Sequence, residues 1–262
     1  MSSKTAAQMF TLRSHTKTAK DLAATLKKVA QIGYPAVQLS GVGAMNGENP
    51  EVPAADARKM LDDNGLKCIA THRPWEALRD HTEKEIDFHK TLGCDFAAIG
   101  GVHAKDAVLE EKMRQFLAEL PPVMRKLKAA GIRFGYHNHA HEFERIAPGP
   151  KTVYDLLISE GGADLMLEID TYWVNHAGAD NVALIKRCAG RVPVIHLKDK
   201  EVIPGEGPVM APIGEGNLNW DAILPAFDAA GTEWYAVEQD KCRSDPFDCL
   251  KSSFEFLASK GV

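Results

Sequence analysis

Ten residues near the middle of the chain, "GYHNHAHEFE" (135–144), hold His137, His139, His141, Glu142 and Glu144. Imidazoles and carboxylates at this density can bind a metal, run acid/base chemistry beside a substrate, or form a polar loop. Spacing inside the stretch does not separate these readings. Three residues further along narrow them: Asp170, His196 and Glu238 each terminate an apolar run. A charge in that position is costly to desolvate unless it is paired or bound to a metal. With Glu142 they make three carboxylates and one imidazole, a hard, oxygen-rich set suited to Mn²⁺, Mg²⁺, Co²⁺ or Zn²⁺ with coordination positions left open. A metal so held polarises vicinal oxygens of a substrate as a Lewis acid.

Residues this far apart in sequence need a scaffold that gathers them. Short apolar runs recur at 6–10, 36–40, 68–72, 96–100, 133–138, 165–170, 192–197 and 235–240. They are rich in small, β-branched or aromatic residues, and their lengths suit buried strands. Amphipathic stretches lie between them. "TAKDLAATLKKVAQIG" spaces Leu22, Leu26, Val29 and Ile32 by three or four residues and stops at Gly33. In "KMRQFLAELPPVMRKLKAAG" the pair Pro121-Pro122 predicts a kink or a split into two helices. "DPFDCLKSSFEFLASKG" opens on an Asp cap with proline in the first turn.

Strict alternation of eight such units in 262 residues predicts an α/β chain folded as a single (β/α)8 TIM barrel, one domain over residues 1–262. "QMFTLRSHT" stands where a dinucleotide-binding sheet needs a glycine-rich phosphate loop, which counts against the open-sheet alternative. Chemistry in such barrels sits at the C-terminal ends of the strands. In order, those ends offer Gln8 and Arg13, Gln38 and Ser40, His72 with Arg73 and Trp75, and His103. They continue with His137, Asn138, His139 and Glu142, then Glu168 and Asp170, then His196, Lys198 and Asp199, and finally Glu238 and Asp240. His141 and Glu144 read as solvent-facing loop residues. Glu168, two residues before Asp170, shares its face and either fills a lower barrel layer through hydrogen bonds or supports the ligands. Trp75 and Trp173 read as core or as an apolar wall for a sugar ring.

Bulk properties set the remaining expectations. A formal charge of −5 argues against a nucleic-acid or anionic-membrane partner, which calls for a basic face. Cys68, Cys94, Cys188, Cys242 and Cys249 form no CxxC pair, so reduced, mostly buried thiols are expected. The first residues, "MSSKTAAQMFTLRSHTK", lack an apolar core, and no segment reaches the ~18 apolar residues of a membrane span. A cytoplasmic protein is the expectation.

Taken together, "YHNHAHEF", "LEIDTYWV", "VIHLKD", "IGEGNLNW" and "YAVEQD" resemble the xylose isomerase-like barrels, in the branch of sugar phosphate isomerases/epimerases. The resemblance runs from "AAQMFTLR" to "SSFEFLASKG". It implies one divalent cation, Mn²⁺ first and Mg²⁺, Co²⁺ or Zn²⁺ as alternatives, held by Glu142, Asp170, His196 and Glu238. Glu142 comes five residues after the strand-end position occupied by His137, so His139 stands as the alternative strand-5 ligand. Two departures point away from a simple free-ketose 3-epimerase: Trp173 stands where those enzymes have histidine, and Lys198 stands near where they have arginine. Lysine can replace the charge but not the forked geometry.

The function that the resemblance implies is a sugar or cyclitol isomerase/epimerase. Its common step is proton abstraction next to a metal-bound carbonyl, through an enediolate. Glu142 or His139 would act on one face and Glu238 on the other, while His72, Arg73, Asn138, Lys198 and Trp173 bind substrate. The same site would serve a lyase or dehydratase acting on a keto-inositol or a 3-keto-glycoside. Readings of another class are an endonuclease IV-like phosphodiesterase and a non-catalytic sugar-binding barrel. The implied partner is a small molecule, with neither nucleic acid nor membrane, and the implied assembly is a homodimer or homotetramer.

Overall fold

The computed structural model describes residues 4–103 and 108–262. Eight parallel strands form the barrel: β1 (Thr5–Gln8), β2 (Ala36–Leu39), β3 (Lys67–His72), β4 (Phe96–Ile99), β5 (Arg133–His137), β6 (Leu165–Glu168), β7 (Val194–Leu197) and, after a hairpin, β10 (Trp234–Val237). The hairpin is β8 (Asp199–Ile203) paired antiparallel with β9 (Gly207–Ala211). Hydrogen-bonded neighbours run β6-β5-β4-β3-β2-β1-β10-β7. The two ends of that order meet through one parallel bridge, Asp170 with His196, where the His196 N–H donates to the Ile169 carbonyl at 2.9 Å. The seam of the barrel is therefore made by two of the residues singled out for their chemistry.

Helices follow the strands: α1 (Ala19–Ile32), α2 (Ala54–Asp63), α3 (Trp75–Asp80), α4 (Thr82–Leu92), α5 (Leu109–Ala129), α6 (Val153–Glu160), α7 (Thr171–His176), α8 (Asn181–Arg187), α9 (Trp220–Ala229) and α10 (Pro246–Ser259). Several starts are set by side-chain caps, among them Thr18 for α1, Thr152 with Asp155 as a reciprocal pair for α6, and Asp245 before Pro246 for α10. The expected split at Pro121-Pro122 does not occur, and α5 runs through both prolines as one element. Its apolar face (Met113, Phe116, Leu120, Val123, Leu127) is buried on both sides of the prolines, and tertiary packing outweighs the lost hydrogen bonds. Also unforeseen are the short α3 and α7 and the β8–β9 hairpin. Among the described residues no helix is long and apolar enough to cross a membrane. All five cysteines are free thiols, and only Cys242 is more than marginally exposed.

Two-residue periodicity organises the interior. A small apolar cluster fills the barrel: Ala6, Ala36, Ile69, Ala70, Phe96, Ala98 and Val194, with Met166 and Trp234 against it. A step of two along each strand leads from Ala6 to Gln8, Ala36 to Gln38, Ala70 to His72, Gly135 to His137, Met166 to Glu168, and Val194 to His196. The larger core lies between sheet and helices. Small residues in the inner layer leave room for Phe96, and Gly135 is the tightest case. A Cβ there would stand 2.6 Å from the Phe96 ring, which has no exposed surface to retreat into.

Two outcomes follow. Gly135→Ala should destabilise the fold by about 1–3 kcal/mol through overpacking, read as a lowered urea midpoint with an unchanged m-value. The second concerns His89, fully buried with Nδ1 on the Glu85 carbonyl (2.6 Å) and Nε2 on the Thr71 hydroxyl (2.7 Å). Burial holds its pKa below the ordinary imidazole value. As pH falls through about 6.5 the unfolded chain takes up a proton that the folded chain refuses, so stability falls with pH. The drop in urea midpoint on acidification through that range should be smaller in His89→Gln than in the wild type.

Candidate functional site

The polar layer above the apolar one is a set of side chains each held by a neighbour. Gln8 donates from Nε2 to Glu238 Oε1 at 2.9 Å. Gln38 donates from Nε2 to Glu168 Oε1 at 2.8 Å, and its Oε1 lies 2.7 Å from His196 Nε2. The amide orientation is thus set by Glu168, and the carbonyl it turns toward His196 fixes Nε2 as the protonated nitrogen. Asp170 caps α7, its Oδ1 accepting the Trp173 N–H at 3.0 Å, while its own N–H donates to Asn138 Oδ1 at 3.2 Å. His72 Nε2 lies 2.5 Å from Glu168 Oε2.

These anchors leave one atom of each residue pointing to a common centre. His137, Asp170, His196 and Glu238, all buried, present ligand atoms within 4.8 Å of one another. His137 Nε2 is 3.9 Å and His196 Nδ1 4.0 Å from Asp170 Oδ2, and His196 Nδ1 is 2.9 Å from Glu238 Oε2. A second group, His72, His137, Glu168 and His196, overlaps the first and shares two imidazoles with it. The Lys198 ammonium reaches into the first group, 2.9 Å from Asp170 Oδ2, 2.8 Å from Glu238 Oε2 and 3.1 Å from Asp240 Oδ1.

Electrostatics follow from this crowding. Burial alone would depress His196, but the Glu168 and Glu238 carboxylates outweigh it and raise its pKa to about 10. Burial opposes the charge on Glu168 as well, yet His196 and His72 pull its pKa down to about 2. Burial leaves Asp170 above the ordinary carboxylate value despite Lys198, and it pushes Asp240, beside Glu238, to about 6. Four carboxylates (Glu168, Asp170, Glu238, Asp240) face two cations, His196 and Lys198, at contact distance. His72 adds a further imidazole on Glu168 Oε2, and His137 Nδ1 is buried without a hydrogen-bond partner. The donor set of oxygens and imidazoles is one that a divalent cation accepts.

The remaining expected site residues fall in several places. A cavity of about 800 Å³ opens over the cluster and is lined by His72, Arg73, His137, His139, Lys198, Glu238 and Asp240, with Gln8 and Arg13. Arg73 is braced by a two-bond pairing with Glu85, both at 2.7 Å. Glu142 does not join Asp170, His196 and Glu238. It lies in a 3-10 turn (His141–Phe143), accepts from Tyr136 Oη and the His139 N–H at 2.8 Å each, and groups with His139 and His141. The β5 nitrogen in the central group belongs to His137. His139 Nδ1 is buried with no partner, and burial lowers its pKa to about 4, so the ring is neutral near pH 7. His141 is not a free surface residue, since its Nε2 lies 3.0 Å from the Val102 carbonyl and 3.1 Å from Glu142, whereas Glu144 is exposed. Asn138 is wholly buried under Asp170, and Trp173 stands behind the site, 5.5 Å from the His139 ring and 5.6 Å from Lys198 Nζ.

Gln8, Gln38 and Glu168 have clear positioning roles that strand-end position alone did not assign; their shared parity with the inward alanines was the available signal. Asp199 has a similar role. Its buried carboxylate accepts from the backbone N–H groups of Lys200, Gly214, Gly216 and Leu218 and from Trp220 Nε1. A Cβ on Gly216 would stand 2.4 Å from Asp199 Oδ1, so the loop can approach only as glycine. Asp199→Ala should cost about 3 kcal/mol or more by stranding these donors, with protease sensitivity appearing first between residues 212 and 219. An unchanged melting temperature would contradict this role.

The chain is similar in architecture to a sugar phosphate isomerase/epimerase from Parabacteroides distasonis, with TM-score 0.79 and 23% identity over 98% of this chain and 94% of that one. An L-ribulose 3-epimerase matches with TM-score 0.72 and 16% identity over 97% and 93% of the two chains. The IOLI protein, whose crystal structure carries a zinc atom, matches with TM-score 0.70 and 15% identity over 98% and 97%. No curated protein matches the chain. The family model described as xylose isomerase-like TIM barrel matches residues 26–260. The eight-stranded barrel and this match agree, and the chain belongs to the xylose isomerase-like TIM barrel family.

Proposed function

We propose that the chain is a divalent-metal-dependent isomerase or epimerase acting on a small sugar or cyclitol. The observation that carries this reading is the convergence of His137, Asp170, His196 and Glu238 at the floor of a cavity, with Asp170, His196 and Glu238 braced from behind. A cation bound there would polarise a carbonyl and its neighbouring hydroxyl and acidify the adjacent C–H. Mn²⁺ suits the mixed oxygen and imidazole set; the zinc of the IOLI structure keeps Zn²⁺ as the alternative.

His139 is the base in this scheme. It lines the cavity, stays neutral near pH 7, and carries an unpartnered Nδ1. Glu142 is a positioning residue, because its oxygens are taken by Tyr136, His141 and the His139 N–H. Arg73, His72 and Lys198 offer donors to substrate oxygens on the cavity wall. One observation favours the lyase outcome as a second reading. Asp240, raised to about 6, lines the same cavity and can hold a proton for a leaving oxygen.

The test is metal analysis of the reconstituted protein, followed by proton NMR of ketoses, inosose and 3-keto-glycosides in deuterated water. Expected are one metal per chain and deuterium entry beside the carbonyl. His139→Gln should slow exchange by about 10²–10⁴-fold with metal content intact, whereas Asp170→Ala should lose metal and exchange together. Full exchange by metal-stripped protein would refute the proposal. Three metals per chain would point to phosphodiesterase chemistry, and none to a binding barrel. Loss of a substrate oxygen in place of exchange alone would select the lyase.

A further inference from the structure

Lys198 stands on the carboxylate pair that a bound cation would use. It follows His196 by two residues and so rises on the same face of its strand, and it is 1% exposed. Its ammonium stands 2.9 Å from Asp170 Oδ2 and 2.8 Å from Glu238 Oε2, the oxygens that their anchors leave free. A divalent ion bonded to both oxygens, at about 2.0–2.2 Å, would share them with Nζ, close enough for the two cations to repel. Ammonium and metal therefore compete for one carboxylate pair. A third carboxylate already touches the ammonium: Asp240 presents both oxygens, at 3.1 and 3.2 Å, from the cavity wall.

We propose that Lys198 is a resident counter-cation of this centre. It holds Asp170 and Glu238 together, yields that pair to a divalent ion, and keeps Asp240 as its seat beside the substrate cavity. The inference rests on the metal reading above and adds a function for the lysine within it. Lysine suits the role better than arginine, because a compact ammonium on a flexible stem can exchange partners without breaking a planar fork. Between two desolvated carboxylates the ammonium also suppresses a repulsion that would otherwise open the seam at Asp170.

Calorimetric titration of EDTA-stripped protein with Mn²⁺ tests this. Lys198→Met should bind Mn²⁺ at least tenfold more tightly than the wild type, and its stripped form should melt lower, a gap that Mn²⁺ closes. Lys198→Arg, which keeps the charge, should not tighten binding. Asp240→Asn should weaken binding in the wild-type background by more than in the Lys198→Met background, because the displaced ammonium loses its seat only where the lysine is present. Equal or weaker Mn²⁺ binding by Lys198→Met would overturn the inference and leave the metal reading standing. Absence of binding in both proteins would overturn both. Should Lys198→Met fail to fold, nitrogen-labelled lysine in the wild type decides. The Lys198 ammonium resonance should move on Mg²⁺ titration with the calorimetric midpoint, and a resonance that stays put would overturn the proposal.

Discussion

The bridge between Asp170 and His196 is the interaction on which the rest depends. It joins the two ends of the strand order, and both partners are buried ionisable residues. Hydrophobic burial between sheet and helices makes the barrel favourable, but it does not choose where the ring closes. That choice is made where backbone pairing and side-chain charge must be satisfied together, since a charged seam without partners would cost several kcal/mol per ion. Glu168, Gln38 and Glu238 supply partners to His196, and Trp173 N–H and Lys198 supply them to Asp170. Closure of the fold and assembly of the polar cluster are one event.

The two-residue period then explains why the cluster is so well braced. Inward positions alternate between an apolar layer of mostly small residues and a polar layer directly above it. Alanines at 6, 36, 70 and 98 keep the lower layer narrow, so the polar residues stand close enough to hydrogen-bond across the barrel rather than along one strand. Gln38 to Glu168 is such a cross-barrel bond, from β2 to β6, while Gln8 to Glu238 joins the adjacent strands β1 and β10. Each amide uses one end on a carboxylate and so settles which carboxylate oxygen is left for His72, His196 or Lys198. A strand substitution in the lower layer would therefore be felt one layer up as a shift of the polar side chains.

Much of this was legible in the sequence, for identifiable reasons. Apolar runs ending in a charge mark barrel strands, and Asp170, His196 and Glu238 could be read as neighbours because a barrel puts strand ends on one rim. Glu142 could not be placed in this way. It lies past the strand end, and whether a 3-10 turn swings a carboxylate toward the axis or back toward β5 depends on Tyr136 and on the His139 N–H, neither visible in spacing. The same limit hid Asn138, whose strand-end position suggested substrate contact while its amide supports Asp170 from below. The β8–β9 hairpin was missed because its organiser, Asp199, reads as one more strand-end acid. The split allowed for at Pro121-Pro122 does not occur, because the buried face carries α5 through as one helix.

The β5 loop is held from two sides, and the two sets of bonds meet at the His139 backbone. Val102 N–H donates to Tyr136 Oη, which donates to Glu142, which accepts the His139 N–H. That chain ties the loop after β4 to the loop after β5. Asn138 joins the same loop to the floor: its Oδ1 accepts the Asp170 N–H at 3.2 Å and its Nδ2 donates to the His139 carbonyl at 3.3 Å. The His139 backbone is therefore held from the floor and from the β4 loop at once, and a displacement at Asp170 reaches it through one amide side chain.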